Sequence, residues 1–328
     1  MPRLAVIGAG AWGTALAVVA ARAGNEVVLW GRDDEQVEAM RRLRENRRYL
    51  AGVILPAAVT PEGRLDAVVG AETLLLAVPA QRLREVCRLL PPAIGEAPLV
   101  ICAKGLEQKS GLRLSEVVTM ERPAAPVAAL SGPSFALEVG QGLPTAVTIA
   151  AEDHDLALDL AQPLASPTFR PYASDDLLGV ELAGALKNVI AIAAGVTMGK
   201  GLGENARASL VTRGLAEMTR LAVALGARRE TLMGLSGLGD LILTATSLTS
   251  RNTGFGYALA RGDTPKALMA AGGKLSEGAY TAGAACTLAR RAGVELPVAE
   301  AVRAVVAGEI GVDAAIEALL SRPLPTAE

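Results

Sequence analysis

Lysine is scarce in this arginine-rich chain, and two lysines stand where a cation could do chemistry. Lys187 interrupts the apolar run Leu182-Ala183-Gly184-Ala185-Leu186-Lys187-Asn188-Val189-Ile190-Ala191-Ile192-Ala193-Ala194-Gly195. An ammonium in such a helix is costly to bury unless it is paired or functional, and burial draws its pKa toward the working range of a general acid or base. The alternative is a lysine snorkelling from a partly exposed helix. Lys104 follows an apolar stretch and precedes Gly105, which puts a cation either at a strand end or in an ordinary surface loop. Asp240 lies between Gly237-Leu238-Gly239 and Leu241-Ile242-Leu243, so it is hydrogen-bonded, functional, or the cap of the next helix. In Thr249-Ser250-Arg251-Asn252-Thr253, hydroxyls precede a helix whose first turn carries arginine and asparagine. That arrangement suits a phosphate and also an ordinary cap.

Other proton-transfer inventories are missing. The single histidine, His154, sits in the acidic stretch Glu152-Asp153-His154-Asp155 and reads as an exposed residue in the first turn of a helix. Tyr49, Tyr172, Tyr257 and Tyr280 are each followed four positions on by a residue other than lysine, so a Tyr-x-x-x-Lys pair is absent. Cys87, Cys102 and Cys286 are scattered without metal-ligand spacing, and no metal site is expected. Lysine is what remains as the proton carrier.

The elements that must position these groups begin at the N-terminus. Leu4-Ala5-Val6-Ile7 reads as a strand, Gly8-Ala9-Gly10-Ala11-Trp12-Gly13 as a glycine turn, and Thr14 to Ala23 as a helix that stops at Gly24-Asn25 before the strand Glu26 to Trp30. In that context Gly8 allows the tight turn, Gly10 lets backbone approach a pyrophosphate, and Gly13 lets helix pack close to strand. The helix N-terminus adds unpaired N–H groups and a positive dipole end. The second strand runs out into Trp30-Gly31-Arg32, where a cation could meet a ribose 2′-phosphate.

Further apolar strands are expected at Glu72–Val78, Pro98–Ala103, Pro126–Leu130 and Thr145–Ala150. Continuous apolar strands separated by helices imply a Rossmann-type, doubly wound, mainly parallel sheet covered on both faces. Ligand-binding residues are then expected past the strand ends, at Val78-Pro79, Ala103-Lys104-Gly105 and Ser131-Gly132-Pro133-Ser134. From about Asp175 strand signals stop. Val211, Leu215, Met218, Ala222 and Leu225 recur at helical spacing, the core-facing side of an amphipathic helix. The expected division is an α/β dinucleotide-binding domain over residues 1–179 and an all-α domain over 180–328, with the substrate in the cleft between them.

Composition bounds the partners. The chain has 328 residues, 51% of them hydrophobic and 20% charged, enough for two globular cores. A net charge of −2 gives no electrostatic case for nucleic acid or an anionic membrane. No transmembrane span and no signal peptide are expected, and three scattered cysteines suit a reducing cytoplasm. The expected partner is a small molecule, and a homodimer is an open alternative to a monomer.

Taken together, several separated blocks resemble the bacterial NAD(P)-dependent glycerol-3-phosphate dehydrogenases. They are Val6 to Ala17, Val28-Leu29-Trp30-Gly31-Arg32, Ala103-Lys104-Gly105-Leu106-Glu107, Leu130 to Ala136, Leu186 to Ala191, Gly237 to Leu241, Ser250-Arg251-Asn252 and Glu277-Gly278. The resemblance implies reversible reduction of dihydroxyacetone phosphate to sn-glycerol 3-phosphate with NADP or NAD, feeding phospholipid synthesis. It implies that Lys187 exchanges the proton and that Lys104, Gly132, Ser134, Lys187, Asp240, Ser250, Arg251 and Asn252 contact substrate. It also implies coenzyme contacts at Gly8, Gly10, Ala11, Trp12, Gly13, Arg32, Tyr49, Lys104, Ala136, Arg251, Leu275 and Glu277. One departure stands out: many members carry a second basic residue after the one matching Arg32, and here that residue is Asp33, which weakens any strict NADP preference. On the residues alone, a lysine-dependent β-hydroxyacid dehydrogenase and a non-catalytic NAD(H)-sensing regulator stay open. The regulator lacks a basic nucleic-acid-reading helix.

Overall fold

The protein is described by a computed structural model covering residues 2–270 and 276–322. Its chain divides into two compact units, Met1–Lys104 with Leu112–Glu181 and Gly105–Gly111 with Leu182–Glu328.

The first unit is built on one eight-stranded sheet. Its strands are β1 (Arg3–Ile7), β2 (Glu26–Trp30), β3 (Val59–Glu62), β4 (Thr73–Leu76), β5 (Leu99–Ile101), β6 (Val127–Ser131), β7 (Thr145–Ala151) and β8 (Phe169–Ser174). The order is β3-β2-β1-β4-β5-β6-β7-β8, the doubly wound pattern extended by two strands. All neighbours are parallel except β6 and β7. Alternate residues of each strand feed opposite faces. Leu4, Val6, Val27, Leu29, Leu75 and Val100 enter one core cluster. Ala5, Ile7, Val28, Leu74, Leu76 and Ile101 enter the other. Each fully buried leucine or valine contributes roughly 1.5–3 kcal/mol, which is why leucine, valine and isoleucine dominate the buried positions of these short strands.

Two strands escape the sequence reading, and both lie at the sheet edges. β3 carries Pro61 and β8 carries Pro171, residues a ladder tolerates only where one side of the strand has no partner. The helices of this unit are α1 (Ala11–Arg22), α2 (Asp34–Leu43), α3 (Leu83–Leu89), α4 (Leu114–Glu121), α5 (Ala136–Gln141) and α6 (His154–Ala161). α1 begins at Ala11, three residues before the expected start at Thr14, with Gly10 as its cap. Gly13 therefore lies inside the helix, and an added Cβ there would stand 1.9 Å from the Gly8 carbonyl oxygen. The helix starts early because its first turn packs directly on the glycine turn.

The second unit is helical: α7 (Leu177–Gly199, which also carries the last residues of the first unit), α8 (Gly203–Ala224), α9 (Arg229–Met233), α10 (Asp240–Ala245), α11 (Arg251–Ala260), α12 (Pro265–Ala270), α13 (Glu277–Arg291), α14 (Pro297–Val306) and α15 (Val312–Leu320). By length and composition α7 could cross a bilayer, but 94% of its most apolar window is buried inside the protein. α7 and α11 touch backbone to backbone: a Cβ on Gly195 would lie 2.0 Å from the Thr253 carbonyl oxygen, and one on Gly256 1.9 Å from that of Ile192. The buried residues of α8 are Gly214, Glu217, Met218, Thr219, Leu221 and Ala222. The expected Val211 and Leu215 are only half-buried and Leu225 ends the helix, because the seam turns toward Gly214, against which Ile190 packs.

Candidate functional site

Lys187 is buried and its charge is answered. Nζ donates to Asp240 Oδ1 at 2.9 Å and to Thr244 Oγ1 at 2.6 Å. Lys187 is 6% exposed and Asp240 1%, so this is an ion pair removed from water, not a snorkelling lysine. Asp240 is the first residue of α10 but not its cap, a position taken by Gly239 without a side-chain bond. The capping alternative for Asp240 is thereby corrected: its carboxylate turns inward to Lys187. Thr244 stands one helical turn later on the same face, 3.4 Å from Asp240 Oδ1. Its backbone carbonyl accepts the Thr253 hydroxyl at 2.6 Å, tying α10 to α11. Sequence reasoning missed Thr244. The available signal was its place four residues after Asp240 in an apolar helix.

The N-terminus of α11 is capped as expected, with Ser250 Oγ accepting the Thr253 N–H at 3.3 Å. Helix geometry leaves the N–H groups of Arg251 and Asn252 without intrahelical acceptors. Arg251 is exposed, whereas Asn252 is buried and its side chain is occupied. Asn252 Nδ2 donates to Asn188 Oδ1 at 2.8 Å, and its Oδ1 accepts from Ser276 Oγ at 2.8 Å and from the Gly278 N–H at 3.0 Å. This network joins α7, α11 and the start of α13, where Glu277 is buried. Leu275, expected to contact coenzyme, lies outside the described residues.

A second set of groups gathers in the sheet-bearing unit. Gly8 adopts φ +118, a conformation other residues rarely take, and its N–H donates to the Trp30 carbonyl at 3.0 Å. Nothing lies within 4 Å of a Cβ built on Gly10, so backbone there stays approachable. Ala11, Trp12 and Ala136 pack, partly buried, against the core cluster that holds Leu4 and Val6, and the Trp12 indole Nε1 is buried with no hydrogen-bond partner among the described residues. An approachable glycine, a helix N-terminus and an orphaned donor in its first turn fit a pyrophosphate-bearing dinucleotide. At the end of β5, Lys104 Nζ donates to the Gly132 carbonyl at 2.8 Å, and Ser134 Oγ donates to the same oxygen at 2.9 Å. Gly132 has φ +136, and a Cβ there would meet Val147 Cα at 2.9 Å. Lys104, Gly132 and Ser134 thus form one cluster.

Arg32 is exposed after β2, and Asp33 caps α2 through the Gln36 N–H at 3.1 Å. Tyr49 is also exposed, with the Arg48 guanidinium 5.3 Å from its ring centre. His154 is exposed at the start of α6. All three cysteines are unpaired and buried, and burial pushes the Cys87 thiol up to about 11 and that of Cys286 up to about 12, so neither is a poised nucleophile. Among the described residues no group of three or more His, Cys, Asp or Glu side chains could hold a metal ion.

Residues 3–157 match the profile of the NAD-dependent glycerol-3-phosphate dehydrogenase N-terminus, and residues 176–317 that of its C-terminus. The chain is 53% identical to a glycerol-3-phosphate dehydrogenase (NAD(P)+) of Parvibaculum lavamentivorans over 322 residues, 98% of this chain and 97% of the relative. Against the protein of the same name from Rhodospirillum rubrum, identity is 54% over 98% of this chain and 93% of the relative. A crystal structure of glycerol-3-phosphate dehydrogenase from Coxiella burnetii superposes with a TM-score of 0.93 at 40% identity, covering 98% of this chain and 99% of that one.

Proposed function

Because the chain belongs to the NAD-dependent glycerol-3-phosphate dehydrogenase family, we propose that Lys187 is the general acid and base of the reaction that interconverts dihydroxyacetone phosphate and sn-glycerol 3-phosphate. The observation that carries this reading is a buried lysine held by one carboxylate and one hydroxyl. Bound NAD(P) supplies hydride exchange with the carbonyl carbon. In reduction, the Lys187 ammonium gives its proton to the carbonyl oxygen, which becomes the alcohol. In oxidation, the neutral amine takes the hydroxyl proton. Asp240 supplies the counter-charge that lets Lys187 stay buried, and Asp240 and Thr244 together fix the orientation of its ammonium. Proton transfer of this kind contributes typically about 10²–10⁴-fold.

The phosphate is assigned to α11. Arg251 offers an exposed guanidinium and the capped helix end offers N–H groups of residues 251 and 252. Asn252 serves through its backbone, since its side chain belongs to the network with Asn188, Ser276 and Gly278. Lys104, with Gly132 and Ser134, orients substrate and coenzyme. Gly8 to Gly13 take the pyrophosphate, Arg32 and Tyr49 the adenosine end, and Ala136, Glu277 and Leu275 further coenzyme contacts. A cytoplasmic setting suits its three unpaired thiols.

Steady-state reduction of dihydroxyacetone phosphate, with NADH and NADPH compared side by side, tests the assignment. Turnover with at least one coenzyme is expected. No turnover with either, or better turnover on a β-ketoacid than on the phosphorylated ketone, would overturn it.

A further inference from the structure

The end of β2 and the segment after α2 are both moored to the coenzyme turn. The Ala9 carbonyl accepts from Gln36 Nε2 at 2.6 Å and from Asn46 Nδ2 at 3.0 Å, and Asn46 also donates to Thr14 Oγ1 at 2.7 Å. Gly31 sits so close to the turn that a Cβ on it would stand 3.0 Å from Ala9 Cβ. α2 ends at Arg44 in a left-handed conformation (φ 51), and the chain after it folds back toward the start of the same helix. As a result Arg48, fifteen residues after Asp33, places Nη1 2.7 Å from Asp33 Oδ2. Arg32, Asp33, Arg48 and Tyr49 therefore belong to one exposed corner, tied at its base to the glycine turn.

We propose that Arg48 is the second guanidinium that recognises the 2′-phosphate of NADP(H), beside Arg32, and that Asp33 holds it in reserve so that this ion pair sets the preference between NADPH and NADH. The inference rests on the reading of Arg32 as a coenzyme contact. The two oxygens of Asp33 do separate work: Oδ1 caps α2 through Gln36, and Oδ2 takes Arg48. The carboxylate thus stays fixed when the arginine leaves it. The Arg48 side chain is 60% exposed, and an ion pair so open to water is weak enough to yield to a dianion that a guanidinium can grip with two hydrogen bonds. Asp33 is held in its charged form by the Gln36 N–H and by Arg48, so it repels a 2′-phosphate but not a neutral 2′-hydroxyl.

Calorimetric titration of NADPH and NADH into the wild-type protein, Arg32→Ala, Arg48→Met and Asp33→Asn, at low and high salt, decides the matter. Met keeps the aliphatic stem of Arg48, and Asn caps a helix as well as Asp does, so both variants remain folded by thermal melting. Arg48→Met should weaken NADPH about 10–100-fold, the range of a charge-assisted pair, with NADH changed less than about twofold. Asp33→Asn should tighten NADPH about 3–10-fold, leave NADH unchanged, and lose that advantage at high salt. If Arg32→Ala weakens NADPH while Arg48→Met shifts neither coenzyme or both equally, the role of Arg48 is refuted and that of Arg32 stands. If Arg32→Ala also leaves the NADPH to NADH ratio unchanged, the underlying reading falls and this inference with it.

Discussion

Lys187 Nζ lies 2.9 Å from Asp240 Oδ1, and both side chains are closed off from solvent. The two residues are 53 positions apart and come from different helices, α7 and α10. Neither charge could be buried alone, because an uncompensated ion in the interior costs several kcal/mol.

Removing one partner should therefore cost more stability than removing both. Asp240→Leu leaves the ammonium buried without its counter-charge and should destabilise the protein by about 3–5 kcal/mol. Adding Lys187→Met should recover most of that loss while leaving the enzyme inactive. Urea denaturation of the two single variants and the double variant measures this coupling. Additive losses would mean that the pair is not energetically coupled.

Arg251 is assigned to the phosphate of the substrate, so its loss should discriminate between substrates. Arg251→Ala should lower kcat/KM for dihydroxyacetone phosphate about 10–100-fold, the range of one charge-assisted hydrogen bond. The value for unphosphorylated dihydroxyacetone should change little. Equal losses on both ketones would remove Arg251 from phosphate recognition.

Glu217 on α8 gives the helical unit a pH dependence of its own. It is buried, accepts the Val298 and Ala299 N–H groups at 2.8 and 3.3 Å at the start of α14, and burial pushes its carboxyl up to about 7. The folded state therefore holds a proton over a range where the unfolded chain, near the ordinary 4.5, has lost it. Its stabilising contribution is complete below about pH 4.5, declines as pH rises toward 7, and is constant above, a change on the order of 3 kcal/mol. Glu121 acts in another window. Its carboxyl, held down to about 2 by Arg88 and Arg84, loses its contribution only as pH falls below the ordinary carboxylate range. Thermal melts between pH 5 and pH 8 should show wild type losing stability relative to Glu217→Gln as pH rises. Parallel curves would contradict the assignment.

How much of this was legible in the sequence follows from where each feature is encoded. The strands β1, β2, β4, β5, β6 and β7 were readable because each is a local apolar run bounded by turn residues. β3 and β8 were not, since their prolines are tolerated only by an edge position that depends on the whole sheet. Lys187 was conspicuous as the one cation in an apolar helix. Its partner could not be read, because nothing local in α7 specifies Asp240 or Thr244 on α10. The sequence points to Asn252 as a substrate contact, whereas its side chain is the hub joining Asn188 to Ser276, a relation that exists only after α7, α11 and α13 have packed. Arg48 passed unnoticed for the same reason: the left-handed turn at Arg44 brings it to Asp33.

Lys187→Ala tests the proton role of Lys187 most directly, with kcat for dihydroxyacetone phosphate reduction and the NADPH dissociation constant measured on the same folded preparation. In this variant kcat should fall by about 10²–10⁴-fold, with NADPH binding within about twofold of wild type. Near-wild-type turnover, or a loss explained entirely by weakened coenzyme binding, would contradict it.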